Sequence, residues 1–222
     1  MTYKWNYLTL TTEQKNKKDE LTKEIKIDPV LTELLLKRGI STAEEAEKFL
    51  HPSLDDLHDP FLMPDMEKAI MRIEQALGNK ERIMIYGDYD VDGTTAVSLV
   101  YKFMRKITNN IDYYIPDRED EGYGISIQGI DYAVETDVKL VIALDCGIKA
   151  ISKIDYANEK GLDFIICDHH MPDEELPRAV AVVNAKRKDS IYPYSELSGC
   201  GVGFKLVQAF SIPPHRKLCC LN

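Results

Sequence analysis

The sequence predicts an α/β fold in which a parallel sheet has helices on both faces, preceded by a small helical N-terminal segment. From residue 82 onward, short apolar runs alternate with segments of helical periodicity. This alternation is typical of parallel strands joined by right-handed helical crossovers. The chain has 222 residues, 44% of them hydrophobic, which is enough to bury a sizeable core. We therefore expect one α/β domain with an appendage.

The N-terminal appendage is predicted to be helical and polar. Asp28 and Pro29 are typical of a helix start, and residues 41–44 can cap a second helix. A proline-containing loop then leads to an amphipathic helix over residues 66–77, which Gly78 ends. The domain bounds that we predict are 1–65 for the helical appendage, 66–212 for the α/β domain and 213–222 for an atypical tail.

The α/β domain is predicted to alternate strands with helices. Its first strand is a short apolar run that lies between charged residues and Gly87. Gly93, Thr94 and Thr95 then supply a turn and an N-cap for the next helix. The predicted strands are residues 83–86, 111–115, 139–144, 164–167 and 180–183, and later helices are expected at 126–135 and 149–160.

Composition excludes several classes of protein. No apolar run approaches the roughly 20 residues that span a bilayer, and the start has no signal-peptide core, so we expect a cytoplasmic protein without a membrane partner. Five cysteines without paired spacing indicate thiols in a reducing compartment and argue against a zinc site. A net charge of −9 argues against a non-specific duplex-binding surface.

Three alternating carboxylates follow the first predicted strand. Asp88, Asp90 and Asp92 repel one another when they lie close together, which raises their pKa values and costs folding energy. A solvated acidic turn is the simpler interpretation of such a cluster. Hard divalent cations such as Mn2+ or Mg2+ are the usual reason to retain one.

More polar residues follow the other strands and decide between these interpretations. Asp145 comes directly after residues 141–144, and Asp168, His169 and His170 come directly after residues 164–167. Because parallel strands bring their carboxyl ends to one edge, we expect these side chains to meet the Asp88 cluster. A mixed set of carboxylates and imidazoles suits two Mn2+ or Mg2+ ions.

These residues resemble the motifs of a known family. Motifs I, II and III of the DHH phosphoesterase superfamily are similar to residues 87–93, 144–147 and 168–170. Further stretches resemble its RecJ branch, the single-strand-specific 5′→3′ DNA exonucleases. These stretches are residues 116–118, 121–124, 182–184 and 199–205.

The resemblance implies a two-metal phosphodiester hydrolase with single-stranded DNA as its partner, alongside repair or replication proteins. It places Asp88 on one metal, Asp90 and His169 on the other, and Asp145 between them. It further implies that His170 lies near the scissile phosphate and that Asp168 supports the site. Two metal ions together activate a water and stabilise the leaving oxygen, so no protein nucleophile is needed. Asp92 is expected to support the site or the helix start rather than to bind metal.

Two weaker candidates for phosphate binding remain beside structural alternatives. Arg118 can grip a phosphate bidentately or form a structural salt bridge. A glycine-rich loop that contains Gly201 and Gly203 can offer backbone N–H groups to a phosphate, or it can serve only for packing before a helix.

Other functions stay open at this point. The stretch over residues 90–94 also matches the signature of haloacid-dehalogenase-type phosphatases, in which the first Asp is a nucleophile. Small-substrate relatives that cleave pyrophosphate, cyclic dinucleotides or short oligonucleotides, and a non-catalytic binding module, are further alternatives. RecJ-like proteins continue to a fourth motif and a second nucleic-acid-binding domain. We therefore expect a truncated form with weak or no activity.

Overall fold

The computed structural model describes residues 4, 6, 7 and 9–212. The expected tail at residues 213–222 lies outside the described residues. The chain forms two compact units, Met1–Leu57 and His58–Asn222. The smaller unit ends somewhat before the domain boundary that the sequence predicts at residue 65.

The N-terminal unit is helical, as expected. Asp28 accepts a hydrogen bond from the Val30 amide, and Thr42 forms a capping box with Glu45. Leu10, Leu21 and Leu36 form the small core of this unit. Its helices are α1 (Thr12–Ile25), α2 (Pro29–Lys37) and α3 (Ala43–Leu50), and a short 3-10 turn follows at Leu54–Asp56.

The larger unit contains a five-stranded sheet in which all neighbouring strands are parallel, so the predicted fold class is confirmed. The strands are β1 (Arg82–Gly87), β2 (Ile111–Tyr114), β3 (Val138–Leu144), β4 (Asp163–Cys167) and β5 (Ala181–Val183). Their order in the sheet is β2-β1-β3-β4-β5. The predicted strand positions agree with these bounds to within one residue.

Helices cover both faces of the sheet. The helices of this unit are α4 (Met66–Gly78), α5 (Val91–Met104), α6 (Ile127–Glu135), α7 (Ile151–Glu159) and α8 (Gly199–Ser211). Side chains of β1 alternate between two cores: Ile83 and Ile85 pack with α4, α5 and α8, whereas Met84 and Tyr86 pack with α6 and α7. Burial on both faces explains why the central strands β1, β3 and β4 are mainly apolar.

The strand order sets the position of the site. The chain leaves β1 towards β2 on one side and later adds β3 on the other, so β1 and β3 flank the point where the order reverses. Gly87 lies opposite Leu144, and Leu144 lies opposite Cys167. The residues that follow these three positions therefore emerge side by side at the carboxyl edge.

One helix start differs from the prediction. Helix α5 begins at Val91, and Asp90 is its N-cap, whereas the sequence pattern assigned the cap to Thr94 and Thr95. Gly93 consequently lies inside the first turn, where a Cβ atom would collide with the Asp88 backbone. This close approach explains the glycine. No helix within the described part of the chain is long and apolar enough to cross a membrane.

Candidate metal centre

Asp88 follows β1 and is buried, with 1% of its surface exposed. Its Oδ1 atom has no hydrogen-bond partner among the described residues. Burial raises the pKa of the Asp88 carboxyl above its ordinary value, and the neighbouring Asp90 charge adds to this. A buried carboxylate oxygen without a donor is costly unless a cation lies beside it.

Asp90 is exposed, and one of its carboxylate oxygens caps the start of α5. Its Oδ1 accepts a hydrogen bond of 2.9 Å from the Gly93 amide. Its backbone carbonyl accepts a second bond, of 2.7 Å, from the Thr94 hydroxyl. These bonds fix the direction of the Asp90 side chain at the edge of the sheet.

Asp145 follows β3 and is 2% exposed. Its backbone adopts the left-handed conformation at φ 60°, which an aspartate accepts more readily than most residues do. Its amide donates to the Cys167 carbonyl at 2.9 Å, which extends the β3–β4 ladder by one residue. The Asp145 carboxylate is therefore held rigidly beside the end of β4.

The electrostatic environment of Asp145 is unfavourable for an unpaired anion. Desolvation raises the pKa of the Asp145 carboxyl to about 7, and the charges of Asp92, Asp90 and Asp168 add to this shift. The Nε2 atom of His169 lies 3.1 Å from Asp145 Oδ1. This oxygen nevertheless has no aligned hydrogen-bond donor in the described residues, so it is open to a further cationic partner.

Asp92 ties α5 to α8. Its two oxygens accept hydrogen bonds of 2.7 Å from the Gly199 amide and 2.8 Å from the Cys200 amide. A carboxylate at a helix N-terminus also interacts favourably with the helix dipole. Asp92 Oδ2 is 3.8 Å from His169 Nε2. The sequence prediction that Asp92 supports the site agrees with these contacts, but its link to α8 was not foreseen.

The glycines at the start of α8 have structural surroundings. Residues 199–203 form the first turns of the helix and not a preceding loop, which corrects the sequence-based expectation. A Cβ atom at Gly199 would collide with the Asp145 carboxylate. The Gly201 amide donates to the Ser198 hydroxyl at 3.1 Å, and Gly203 packs against Val100. The close approach of Asp145 thus accounts for Gly199, while the Gly201 amide is used in the cap of α8 and Gly203 lies in packing contact.

Asp168 orients the two histidines. Its Oδ1 accepts from the His169 amide, the His170 amide and, at 2.7 Å, the His170 ring Nδ1. Its Oδ2 accepts from the Ile148 amide at 2.9 Å. Because both oxygens accept hydrogen bonds from N–H groups, Asp168 fixes the orientation of the His170 ring and of the backbone that carries the two histidines.

Tyr123 and Asn184 also contact His170. Both lie in stretches that resemble the RecJ branch, but neither was assigned a role from the sequence. The Tyr123 hydroxyl lies 3.2 Å from His170 Nε2, and the Asn184 side chain donates to the His170 carbonyl at 2.9 Å. Tyr86 holds the loop that carries Tyr123, because its hydroxyl donates to the Gly124 carbonyl at 3.0 Å. Asn184 directly follows β5, so its position after an apolar strand was the signal that could have identified it.

Potential ligand atoms converge at this edge. Asp145, His169 and His170 each offer one atom within 4.8 Å of the others. Asp88 contributes a further buried oxygen without a donor. Buried carboxylate oxygens and imidazole nitrogens together fit a divalent cation, so the donor set suits Mn2+ or Mg2+. By contrast, Arg118 is exposed, stands 5.4 Å from the Tyr89 ring centre and makes no ion pair among the described residues.

The family model described as "DHH family, N-terminal domain" matches residues 82–219. The chain belongs to the DHH family. This membership confirms the family resemblance that the motifs indicated. It also removes the haloacid-dehalogenase alternative.

Curated relatives of this DHH chain include two single-stranded-DNA-specific exonucleases named RecJ. The protein of Bacillus subtilis (strain 168) is 45% identical over 194 residues, covering 87% of this chain and 25% of the relative. The Escherichia coli (strain K12) protein is 33% identical over 184 residues, covering 82% of this chain and 31% of the relative. The DHH chain thus spans about a quarter to a third of the length of these relatives.

Solved structures agree with this assignment. A crystal structure of exonuclease RecJ bound to manganese is 29% identical, with a TM-score of 0.61, covering 68% of this chain and 40% of that chain. RecJ from Thermus thermophilus in complex with Mn2+ is 23% identical, with a TM-score of 0.70, covering 96% of this chain and 28% of that chain. The second likeness is one of fold alone.

Proposed function

We propose that this chain is the metal-binding domain of a phosphodiester hydrolase that degrades single-stranded DNA with Mn2+ or Mg2+. The observation that carries the proposal is the pair of buried oxygens without hydrogen-bond donors, Asp88 Oδ1 and Asp145 Oδ1, at one sheet edge with His169. The RecJ relatives, which are named as single-stranded-DNA-specific exonucleases, supply the substrate class.

The proposed metal ligands are Asp88, Asp90, Asp145 and His169. All four follow the carboxyl ends of β1, β3 and β4, the parallel strands at the centre of the sheet. When bound, two divalent ions would lower the pKa of a water and neutralise charge on the phosphodiester and the leaving oxygen. His169 and the three carboxylates would hold the ions and would not contribute a covalent nucleophile.

The remaining polar residues are proposed to act on the substrate or to position groups that do. His170 would lie near the scissile phosphate, because Asp168 accepts a hydrogen bond from its Nδ1 and one of its ring nitrogens lies within 4.8 Å of ligand atoms of Asp145 and His169. Its Nε2 is 3.2 Å from the Tyr123 hydroxyl. Arg118 is exposed and free of ion pairs among the described residues, which favours the phosphate-binding alternative over a structural salt bridge. Gly201 and Gly203 remain the least supported candidates, since the Gly201 amide already donates to Ser198 and Gly203 lies in packing contact with Val100.

We infer a 5′→3′ direction, a role in DNA repair or recombination, and a cytoplasmic location, and these inferences depend on the RecJ resemblance. We also retain the predicted domain bounds of 1–65 and 66–212.

The test replaces the matched segment of the Bacillus subtilis relative with this chain and compares the hybrid with the chain alone. We expect the hybrid to degrade single-stranded DNA in the presence of Mn2+, and to release label from the 5′ end before label from the 3′ end. An Asp145→Ala hybrid should be inactive. Faster hydrolysis of pyrophosphate or of a cyclic dinucleotide would assign the site to a small-substrate relative instead. A folded, metal-loaded hybrid that cleaves none of these substrates would favour a non-catalytic binding module.

A further inference from the structure

A cleft of about 640 Å³ opens beside the metal centre, between residues 123–125 and the turn that leads into α7. Asp90, Asp168 and His170 line its metal-facing end. Its floor is apolar, and Tyr123 stands at its side with 55% of its surface exposed. The floor consists of Ile125, Cys146 and Ile148. A mostly apolar cleft with a few polar groups at one end is typical of a small-molecule site.

Two lysines form a cationic wall on the α7 side of this cleft. Lys149 precedes α7 and Lys153 lies in its first turn, and both line the cleft. Lys153 makes no ion pair within the described part of the chain. Lys149 stands 3.3 Å from Asp173, but both side chains are 58% exposed, so this pair contributes little and can be exchanged for another anion.

Neither Asp90 nor Asp168, the acidic residues that line the cleft, forms an ion pair with these lysines among the described residues. Both oxygens of Asp168 already accept hydrogen bonds from N–H groups. Asp90 uses Oδ1 to cap α5. In a chain with a net charge of −9, two available ammonium groups beside an apolar floor point to an anionic ligand that also has an apolar part.

We propose that this cleft is a nucleotide subsite, in which Lys149 and Lys153 bind the phosphate of a nucleoside monophosphate and the apolar floor contacts its base. The inference rests on the proposed function, because a nucleoside monophosphate is the product that an exonuclease releases. It goes further by assigning the product, and hence the terminal nucleotide of the strand, to the α7 side of the metal centre. Ser152 also lines the cleft and offers a hydroxyl donor to the same phosphate.

The test measures binding of deoxythymidine 5′-monophosphate and of thymidine to the full chain by calorimetry, first with EDTA and then with Mn2+. With EDTA, only the lysine wall and the cleft floor hold the ligand. We expect the monophosphate to bind at least about 10-fold more tightly than thymidine, because a charge-assisted hydrogen bond contributes on this scale. Lys149→Met together with Lys153→Met should remove this difference, since methionine retains the apolar stem but not the charge.

Lys160→Met is the matched control, because Lys160 lies at the end of the same helix, over the Tyr156 ring and outside the cleft. It should leave binding unchanged. The proposal is overturned if the double variant binds the monophosphate as tightly as the parent chain, or if the monophosphate binds only with Mn2+ and independently of the lysines. If the parent chain binds the monophosphate through the lysines but does not bind Mn2+, the proposed function is overturned and the subsite still stands.

Discussion

The Nε2 atom of His169 lies 3.1 Å from Oδ1 of Asp145, although the two residues follow different strands. Their proximity follows from the parallel register, in which Leu144 pairs with Cys167 and the chain beyond each strand turns towards the same edge. The Asp145 carboxyl is buried among other acidic groups, and both the burial and their charges raise its pKa.

Without metal, Asp145 should make stability fall as pH rises. The unfolded carboxyl titrates near 3.8, and the folded one has a pKa of about 7. The stabilising effect of the protonated form is complete below about pH 4 and is lost by about pH 7, at a cost on the order of 4 kcal/mol. Asp145→Asn should therefore raise the free energy of unfolding at pH 8 in EDTA and flatten its dependence on pH. Urea titrations at pH 5 and pH 8 measure both effects.

Asp155→Asn is the control for this experiment, because Asp155 pairs with Arg178 on the surface away from the metal centre. It should leave the pH dependence intact. An Asp145→Asn variant that is less stable than the parent at pH 8 would contradict the description of Asp145 as an uncompensated buried anion.

Gly199→Ala should disturb the metal centre. The added methyl group would collide with the Asp145 carboxylate, so Asp145 or the start of α8 must move. We expect Mn2+ affinity to fall about 10-fold or more, as for other changes beside metal ligands. Gly201→Ala is the matched variant: its Cβ would lie 3.4 Å from the Leu197 side chain, and alanine favours the helix. Equal Mn2+ affinity in the two variants would show that Gly199 does not constrain Asp145.

Asp168→Asn should destabilise the chain and loosen the histidines. The amide that replaces one carboxylate oxygen cannot accept a hydrogen bond, so at least one of the bonds from Ile148, His169 and His170 is lost. We expect a loss of about 2 kcal/mol in the free energy of unfolding. Thermal or urea unfolding in EDTA measures this loss. Asp173→Asn in the following loop serves as the control, since Asp173 is exposed and should tolerate the change. Equal stability of the two variants would show that the hydrogen bonds to Asp168 do not stabilise the chain.

Asp92→Asn should weaken the connection between α5 and α8. Asparagine keeps one acceptor oxygen, so one of the Gly199 and Cys200 amides loses its partner. The expected cost is about 1 kcal/mol, the usual effect of weakening a helix cap. Amide hydrogen exchange at the start of α8 should become faster, while exchange in β3 remains slow. Unchanged protection of both amides would show that Asp92 does not hold the helix.

Much of the fold follows from local sequence. The central strands are apolar on both faces, so each was recognisable without knowledge of its neighbours, and Asp28 caps the helix that it was expected to start. Thr42, which caps the next helix, lies in the stretch over residues 41–44 that was expected to cap it. The start of α5 was assigned too late, because Thr94 and Thr95 resemble caps. The structure uses Asp90 instead, whose extended backbone lets its carboxylate reach the Gly93 amide.

The residues at the strand ends were likewise predictable, because a parallel sheet brings such positions together. The contacts between separate loops were not. The hydrogen bonds from α8 to Asp92, and the approach of Tyr123 to His170, depend on the path of segments that have no periodic pattern. Gly199 was noticed as part of a glycine-rich stretch. The need for a glycine there, where a Cβ atom would collide with the Asp145 carboxylate, is visible only in the three-dimensional structure.

The most direct test of the central claim is a Mn2+ titration of the full chain by calorimetry, compared with the Asp145→Ala variant and with Asp155→Ala as a surface control. We expect saturable binding to the parent chain and to Asp155→Ala, and binding at least about 10-fold weaker in Asp145→Ala. Identical titration curves for the parent chain and Asp145→Ala would contradict the assignment of a metal centre to this edge of the sheet.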